Sequence, residues 1–369
     1  MSPSLNDRLS AYADIAADLS VDAVALVPGP NFTRAVDHAF MSHERPFVLV
    51  IPARGPAAAL VPNLELGSWE LVGFDGAVFD WRDQTGYDDA FAALMQHLNI
   101  TSLAVEGQVM RVFVHHALKK AQPDLRIIDA EREISAPRMI KTEAEVAALQ
   151  KAIDISERAL RATLDSVKLG QTEKEIEQKL VQMIFAEGAD DLSFAPIVAA
   201  GDGSARPHAK AREDYHVKAG DALLIDFGAR KDGFAADITR TVFLAHVSDE
   251  GRAVYDTVLR ANLAGLEATR AGVTAHEIDD VVTGVLEASP FADRIRTKTG
   301  HGLGRDVHEA PYIMRGNHMT LPAGTVYTNE PGLYEIGNFG VRIEDDVLIT
   351  EDGYKSLTNF PKELMVLPC

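Results

Sequence analysis

Cysteine is nearly absent from this chain: among 369 residues the one thiol belongs to the last, Cys369. A lone cysteine excludes an internal disulfide and fits a reducing compartment, so a cytoplasmic protein is expected. Long apolar runs are also lacking. No stretch approaches the ~18 residues of a membrane-spanning helix, and the N-terminal segment carries acids without an uninterrupted apolar core, so neither a membrane partner nor a signal peptide is expected. Basic residues are outnumbered 36 to 55 by acids, giving a formal charge of −19. A surface that negative repels phosphate backbones, which argues against nucleic acid as a partner, and it suits cationic ligands, divalent metals among them. There is no short-period repeat, no low-complexity tract and no heptad pattern. What remains is a globular composition, 46% hydrophobic and 25% charged, on a chain too long for one ordinary core.

Two domains are therefore expected. The first ~130 residues alternate strand-like and helical patterns, the mark of an α/β layer structure. Apolar runs at 22–27, 47–51, 58–61, 103–106 and 125–128 read as buried strands, and 5–18, 87–98 and 111–120 read as helices. The pattern breaks at Ser135, Ala136 and Pro137, and a helix opens at Thr142, with Glu145 completing a capping box. The expected division is 1–133 and 134–369. Beyond the break, a pair of helices (142–166, 172–187), strand hairpins, a second pair of helices (249–270, 275–288) and further strands give an α+β domain.

The chemistry sits in two hairpins. In DALLIDFGARKDGFAADITRTVFL, residues 221–244, the Asp232-Gly233 turn signal places Asp226 and Asp237 opposite each other by simple pairing. In VYTNEPGLYEIGNFGVRIEDDVLI, residues 326–349, a turn near Gly337 and Asn338 does the same for Glu330 and Glu344. A bulge could shift either register by a residue. Like charges facing each other across apolar strands, roughly 5 Å apart, are destabilising. Either one acid is protonated or a cation lies between them, and the second pair favours the cation. Asp232, Glu335, Asp345 and Asp346 are expected to be ordinary solvated acids. A histidine comes from TGHGLGRDVHEAP, where glycines around His301 allow a tight backbone near a bound group, without the strand and helix context of a dinucleotide fingerprint. Four carboxylates and one imidazole form a hard ligand set that suits manganese or cobalt, with zinc as a further option, and two divalent ions would balance the four acids.

In that order, IDFGA (225–229), DITRT (237–241), TGHGLG (299–304), NEPGLY (329–334) and VRIED (341–345) resemble the catalytic domain of the pita-bread metallopeptidases. The resemblance covers about 140–369, and the segments 44–52 and 61–65 are similar to the N-terminal domain of the prolidase and creatinase branch. It implies a pseudo-twofold catalytic domain in which Asp237 and Glu344 bridge two ions, Asp226 chelates one, and His301 with Glu330 holds the other. It also implies that His308 stabilises the tetrahedral intermediate, that His208 contacts substrate and that the protein is a homodimer. The expected reaction is hydrolysis of Xaa-Pro bonds in small peptides by a hydroxide bridging the ions, with Glu330 shuttling its proton. An Xaa-Pro dipeptidase is favoured over an aminopeptidase P, and a non-catalytic binding protein of the same fold is a remote third. No Gly-x-Ser-x-Gly elbow supports covalent catalysis. For the substrate's carboxylate the candidates are Arg315, seven residues beyond His308, and Arg45, which lies with Asp37 on a long connector from Pro28 to Arg45. The resemblance lets Asp37 meet the substrate's ammonium from a partner subunit.

Overall fold

The computed structural model describes residues 4–41 and 43–369, and the chain divides into two units between Arg138 and Met139. In the first unit the apolar runs form β1 (Ala23–Leu26), β2 (Val48–Pro52), β3 (Ala58–Pro62), β4 (Ala77–Trp81), β5 (Ser102–Val105) and β6 (Arg126–Asp129). They make one mixed sheet in the order β4-β3-β2-β1-β5-β6. Both faces are covered, and the alternation of side chains along a strand divides the core in two. Val24 and Leu26 pack with Tyr12 of α1 (Leu5–Asp18), Phe32 of α2 (Pro30–Val36) and Trp69 of α3 (Leu66–Glu70). Ala23 and Ala25 pack on the other side with Phe91 and Leu94 of α4 (Asp88–Leu98) and Leu118 of α5 (Val112–Ala121).

Three details differ from the sequence reading. β4 had no counterpart there: it is the sheet edge, its residues alternate half-buried and exposed, and it lacks the continuous apolar run of its neighbours. The connector from Pro28 to Arg45 is not irregular throughout, since α2 occupies Pro30–Val36 and Asp37 closes it in a left-handed conformation, φ 55°. The break at 135–137 lies inside α6 (Glu131–Met139), whose last turn tolerates Pro137 two residues before its end.

The second unit begins with α7 (Glu143–Leu164), opened by the Thr142–Glu145 capping box, with reciprocal bonds of 3.3 and 3.0 Å. The same device starts α8 (Glu173–Ala186) from Thr172 and α10 (Ala275–Glu287) from Thr274, and Ser248 caps α9 (Asp249–Ala268). The unit repeats a plan: α7 packs on α8 and a hairpin follows, then α9 packs on α10 and a second hairpin follows. Strands β7 (Asp191–Leu192), β8 (Ile197–Ala200), β9 (Ala222–Phe227), β10 (Ala229–Lys231), β11 (Phe234–Ala235) and β12 (Ile238–Leu244) belong to the first half. The second half holds β13 (Gly300–Gly302), β14 (Glu309–Ile313), β15 (Val326–Asn329), β16 (Gly332–Tyr334), β17 (Gly340–Arg342), β18 (Asp345–Ile349) and β19 (Tyr354–Ser356), while β20 (Val366–Leu367) returns to β12. The hairpins are laced together. Glu344 N donates to Thr239 O at 3.1 Å, and Thr241 Oγ1 donates to Arg342 O at 3.0 Å.

Candidate metal centre

The Asp-Gly turn forms as expected: Asp232 and Gly233 both have positive φ, 51° and 78°, and Lys231 pairs with Phe234. The register that follows places Asp226 opposite Thr239 rather than Asp237. Continued one step, it sets Asp237 against Gly228, two residues along from Asp226, so the two acids are diagonal neighbours on one face of the ribbon. Gly228 is required there, because a Cβ would stand 1.7 Å from Ala236 O. The second hairpin keeps one register throughout. Asn329 pairs with Asp345 and Gly332 with Arg342, which sets Glu330 directly against Glu344.

His301 lies in β13, between β14 and β15. Its flanking glycines serve the neighbouring strands rather than a bound group: a Cβ on Gly300 would meet Thr328 O at 1.7 Å, and one on Gly302 would meet Ala310 O at 2.3 Å. The ring Nδ1 donates to Gly302 O at 3.1 Å. That leaves Nε2 as a bare lone pair, facing Glu330 Oε1 at 3.3 Å and Asp237 Oδ2 at 3.7 Å.

Ligand atoms of Asp226, Asp237 and Glu344 lie within 4.8 Å of one another, as do those of His301, Glu330 and Glu344, so Glu344 belongs to both groups. A third group of this kind joins Asp237 and His301 to His308, whose ring centroid is 3.7 Å from that of His301. Burial, then the charges of Glu344 and Asp226, raises Asp237 well above the carboxylate range. Burial, then Glu330 and Asp226, does the same to Glu344. Glu330 is pushed up to about 7, mainly by burial. His301 is held neutral, its pKa lowered to about 3 by burial and then by the neighbouring His308 ring, whose protonation would compete with its own. The donor set fits divalent cations on its own terms. A neutral imidazole aims its lone pair at carboxylates, and Asp226 Oδ1 and Asp237 Oδ1 are buried with no hydrogen-bond donor among the described residues.

Residues 147–351 match the model of "Metallopeptidase family M24", and residues 8–140 match the "Creatinase/Prolidase N-terminal domain". The chain belongs to metallopeptidase family M24. Among similar M24 proteins is an Xaa-Pro dipeptidase of Pyrococcus horikoshii, 30% identical over 98% of this chain and 99% of its own. The crystal structure of a prolidase from Thermococcus sibiricus superposes with a TM-score of 0.94 at 32% identity, each chain covered completely. An X-Pro aminopeptidase from Thermotoga maritima gives 0.83 at 32% identity, over 96% of this chain and 98% of that one. The repeated helix-pair and hairpin halves are the pita-bread fold of the M24 unit, and membership of this metallopeptidase family implies divalent metal ions, which the grouped side chains could hold.

Above the M24 centre is a cavity of about 580 Å³ that also takes in His208 and His308, both exposed, with Phe194, Ile197, Val307 and Met314 on its apolar side. Although His308 reaches solvent, partial desolvation by the cavity walls lowers its pKa, with Lys298 adding to the effect, which favours the neutral ring. Arg315 does not line this cavity. Its guanidinium is held by Asp280 at 2.8 Å and by Glu287 at 2.7 and 3.0 Å. Arg45 and Asp37 lie in the first unit, where Arg45 is paired with Asp83 and Glu44.

Two of the four acids expected in solvent are instead buried: Asp345 is 0% and Asp346 1% exposed. Burial alone would raise Asp345, but Arg240 and Lys362 outweigh it and hold its pKa low. Asp346 accepts from Asp237 N at 3.2 Å and so supports a centre residue from behind. Asp232 and Glu335 stay at the surface, each with a cationic partner.

Sequence pattern did not single out Arg342, 3% exposed, which binds Asp226 and reaches Thr239 Oγ1 at 3.0 Å and Tyr334 Oη at 2.9 Å. Its signal was an arginine two residues before Glu344 inside an apolar strand. A second omission is the buried pair of Lys141 and Glu309, 2.6 Å apart, which anchors the residue after His308.

Proposed function

We propose that this chain is an Xaa-Pro dipeptidase working with two divalent metal ions. The observation that carries the reading is the clustering of four carboxylates and one bare imidazole nitrogen under a largely apolar cavity. Asp226, Asp237 and Glu344 would hold one ion and His301, Glu330 and Glu344 the other, with Asp237 reaching both. Manganese or cobalt suits this oxygen-rich set, and zinc is the alternative. Bound there, the ions supply an acidified water as nucleophile and polarise the scissile carbonyl.

The chain's own groups do the rest. His308, kept neutral beside the centre, offers a ring N–H to the carbonyl oxygen as charge builds on it. Glu330 takes the proton of the attacking water at its carboxylate and delivers it to the leaving nitrogen. His208 borders the same cavity and contacts the peptide. The wall formed by Phe194, Ile197, Val307 and Met314 accepts the pyrrolidine ring, and the imino nitrogen of an Xaa-Pro bond carries no N–H that the site must satisfy.

A second reading, aminopeptidase P, is favoured by the likeness to the Thermotoga maritima X-Pro aminopeptidase, which extends along nearly the whole chain. Steady-state kinetics on Ala-Pro and Ala-Pro-Ala separate the two. The dipeptidase hydrolyses Ala-Pro with the larger kcat/KM, and an equal or larger value on the tripeptide would establish the aminopeptidase. A cytoplasmic homodimer is part of the proposal, supported by the single cysteine and by the resemblance. Sedimentation and cell fractionation check it.

A further inference from the structure

Three cationic side chains line the cavity, Arg296, Lys298 and Arg342. Arg342 is engaged by Asp226, Thr239 and Tyr334. Arg296 turns Nη1 to the carbonyl oxygens of Asp293 and Ile295, at 2.5 and 2.9 Å. Lys298 differs from both: it makes no hydrogen bond or ion pair with any described residue, and its Nζ stands 5.6 Å from the centroid of the Tyr312 ring. A ring face steadies an ammonium without using its N–H donors, so all three can turn to a ligand. Lys298 is half-buried, three residues before His301, and the chain beside it is pinned, since Thr299 N donates to Asp279 at 2.9 Å. Its charge is felt at His301, His308 and Glu330, which sets it on the histidine side of the centre.

An Xaa-Pro dipeptide carries its carboxylate on the carbon bonded to the scissile nitrogen. Standard bond lengths then put the carboxylate oxygens only about 3–5 Å from the carbonyl carbon under attack. Whatever binds them has to stand at the centre itself. We propose that Lys298, steadied over Tyr312, takes the substrate's C-terminal carboxylate and so restricts the site to dipeptides, an inference that rests on the Xaa-Pro reading above. A longer peptide presents an amide carbonyl at this point, and a neutral acceptor forms the weaker bond with an ammonium. Lys298 is a specificity residue in this scheme, with no role in the proton transfers.

The test compares kcat/KM on Ala-Pro and on Ala-Pro-amide for metal-loaded wild type, Lys298→Met, Lys298→Gln and Lys298→Arg, with metal content measured on the same samples. The wild type is expected to prefer the free acid. Both neutral variants should lose about 10- to 100-fold on Ala-Pro through KM, stay within about twofold on the amide, and keep their metal. Lys298→Arg should retain most of the preference, because it keeps the charge. An equal fall on both substrates, or no fall on either, overturns the role of Lys298 while Xaa-Pro hydrolysis stands. A wild type that hydrolyses neither substrate overturns the Xaa-Pro reading and this inference with it.

Discussion

Replacing Glu344 by glutamine should stabilise the metal-free protein while it ruins the metal-loaded one. Burial, then the carboxylates of Glu330 and Asp226, raises the Glu344 carboxyl well above its ordinary value of 4.5. A carboxyl raised in the folded state binds its proton more tightly there than in the unfolded chain. Its contribution to stability is therefore present below the unfolded value and is lost as pH rises through the folded one. Oxygens of Glu344, Asp226 and Asp237 lie within 4.8 Å of one another. Two unit charges at that separation repel by about 3 kcal/mol at an effective dielectric constant of about 20. Glutamine removes one of the charges and keeps an oxygen for Thr239 Oγ1, which donates to Glu344 Oε2 at 2.5 Å. At about pH 8 the metal-free variant should thus exceed wild type by about 3 kcal/mol, or roughly 10 °C in Tm, and at about pH 5 the two should nearly coincide. With manganese the order reverses, because Glu344 belongs to both ligand groups and two ions, each at a hundred times its Kd, contribute about 5 kcal/mol together that the variant forfeits. Thermal melts of chelated and manganese-loaded protein at the two pH values measure all four quantities. A metal-free variant less stable than wild type at about pH 8, or a difference that does not change with pH, would refute the reasoning.

His308→Ala should keep the metal and lower kcat by about 10²–10³, since its N–H acts on charge that develops during the reaction; metal analysis beside kinetics checks both halves. Asp237→Ala, which removes a ligand atom close to both groups, should leave the dialysed protein with neither ion, and a variant retaining one full equivalent would contradict the bridging role. Lys141→Met should cost about 3–5 kcal/mol in urea denaturation, because Glu309 would keep its buried charge without the lysine 2.6 Å away.

The turn at Asp232-Gly233, the Thr142–Glu145 helix start and the Glu330–Glu344 pairing were all legible in the sequence, because each is decided within a few residues or by one uninterrupted register. The Asp226–Asp237 pairing misled by two residues. Counting placed the turn centre one residue early, and a shift of one at the turn moves the partner by two. Asp345 and Asp346 looked like surface acids because neither the arginine and lysine that neutralise the first nor the backbone N–H that binds the second is near in sequence. The same distance hid Lys141 from Glu309. For Arg315 the sequence showed a glycine-flanked arginine near a histidine, and only the packing of α10 showed that Asp280 and Glu287 already hold it. Nothing local in the sequence marks Lys298, since what distinguishes it is that it stands beside a cavity with no counter-ion among the described residues. By itself, then, the sequence determined the helix starts, the hairpin ribbons and the five candidate ligands, which follow from local periodicity, turn chemistry and residue type. Which charges face each other, which are buried and which stand ready for a substrate was decided only by the tertiary structure, because electrostatic energy depends on distance and solvent access between residues far apart along the chain.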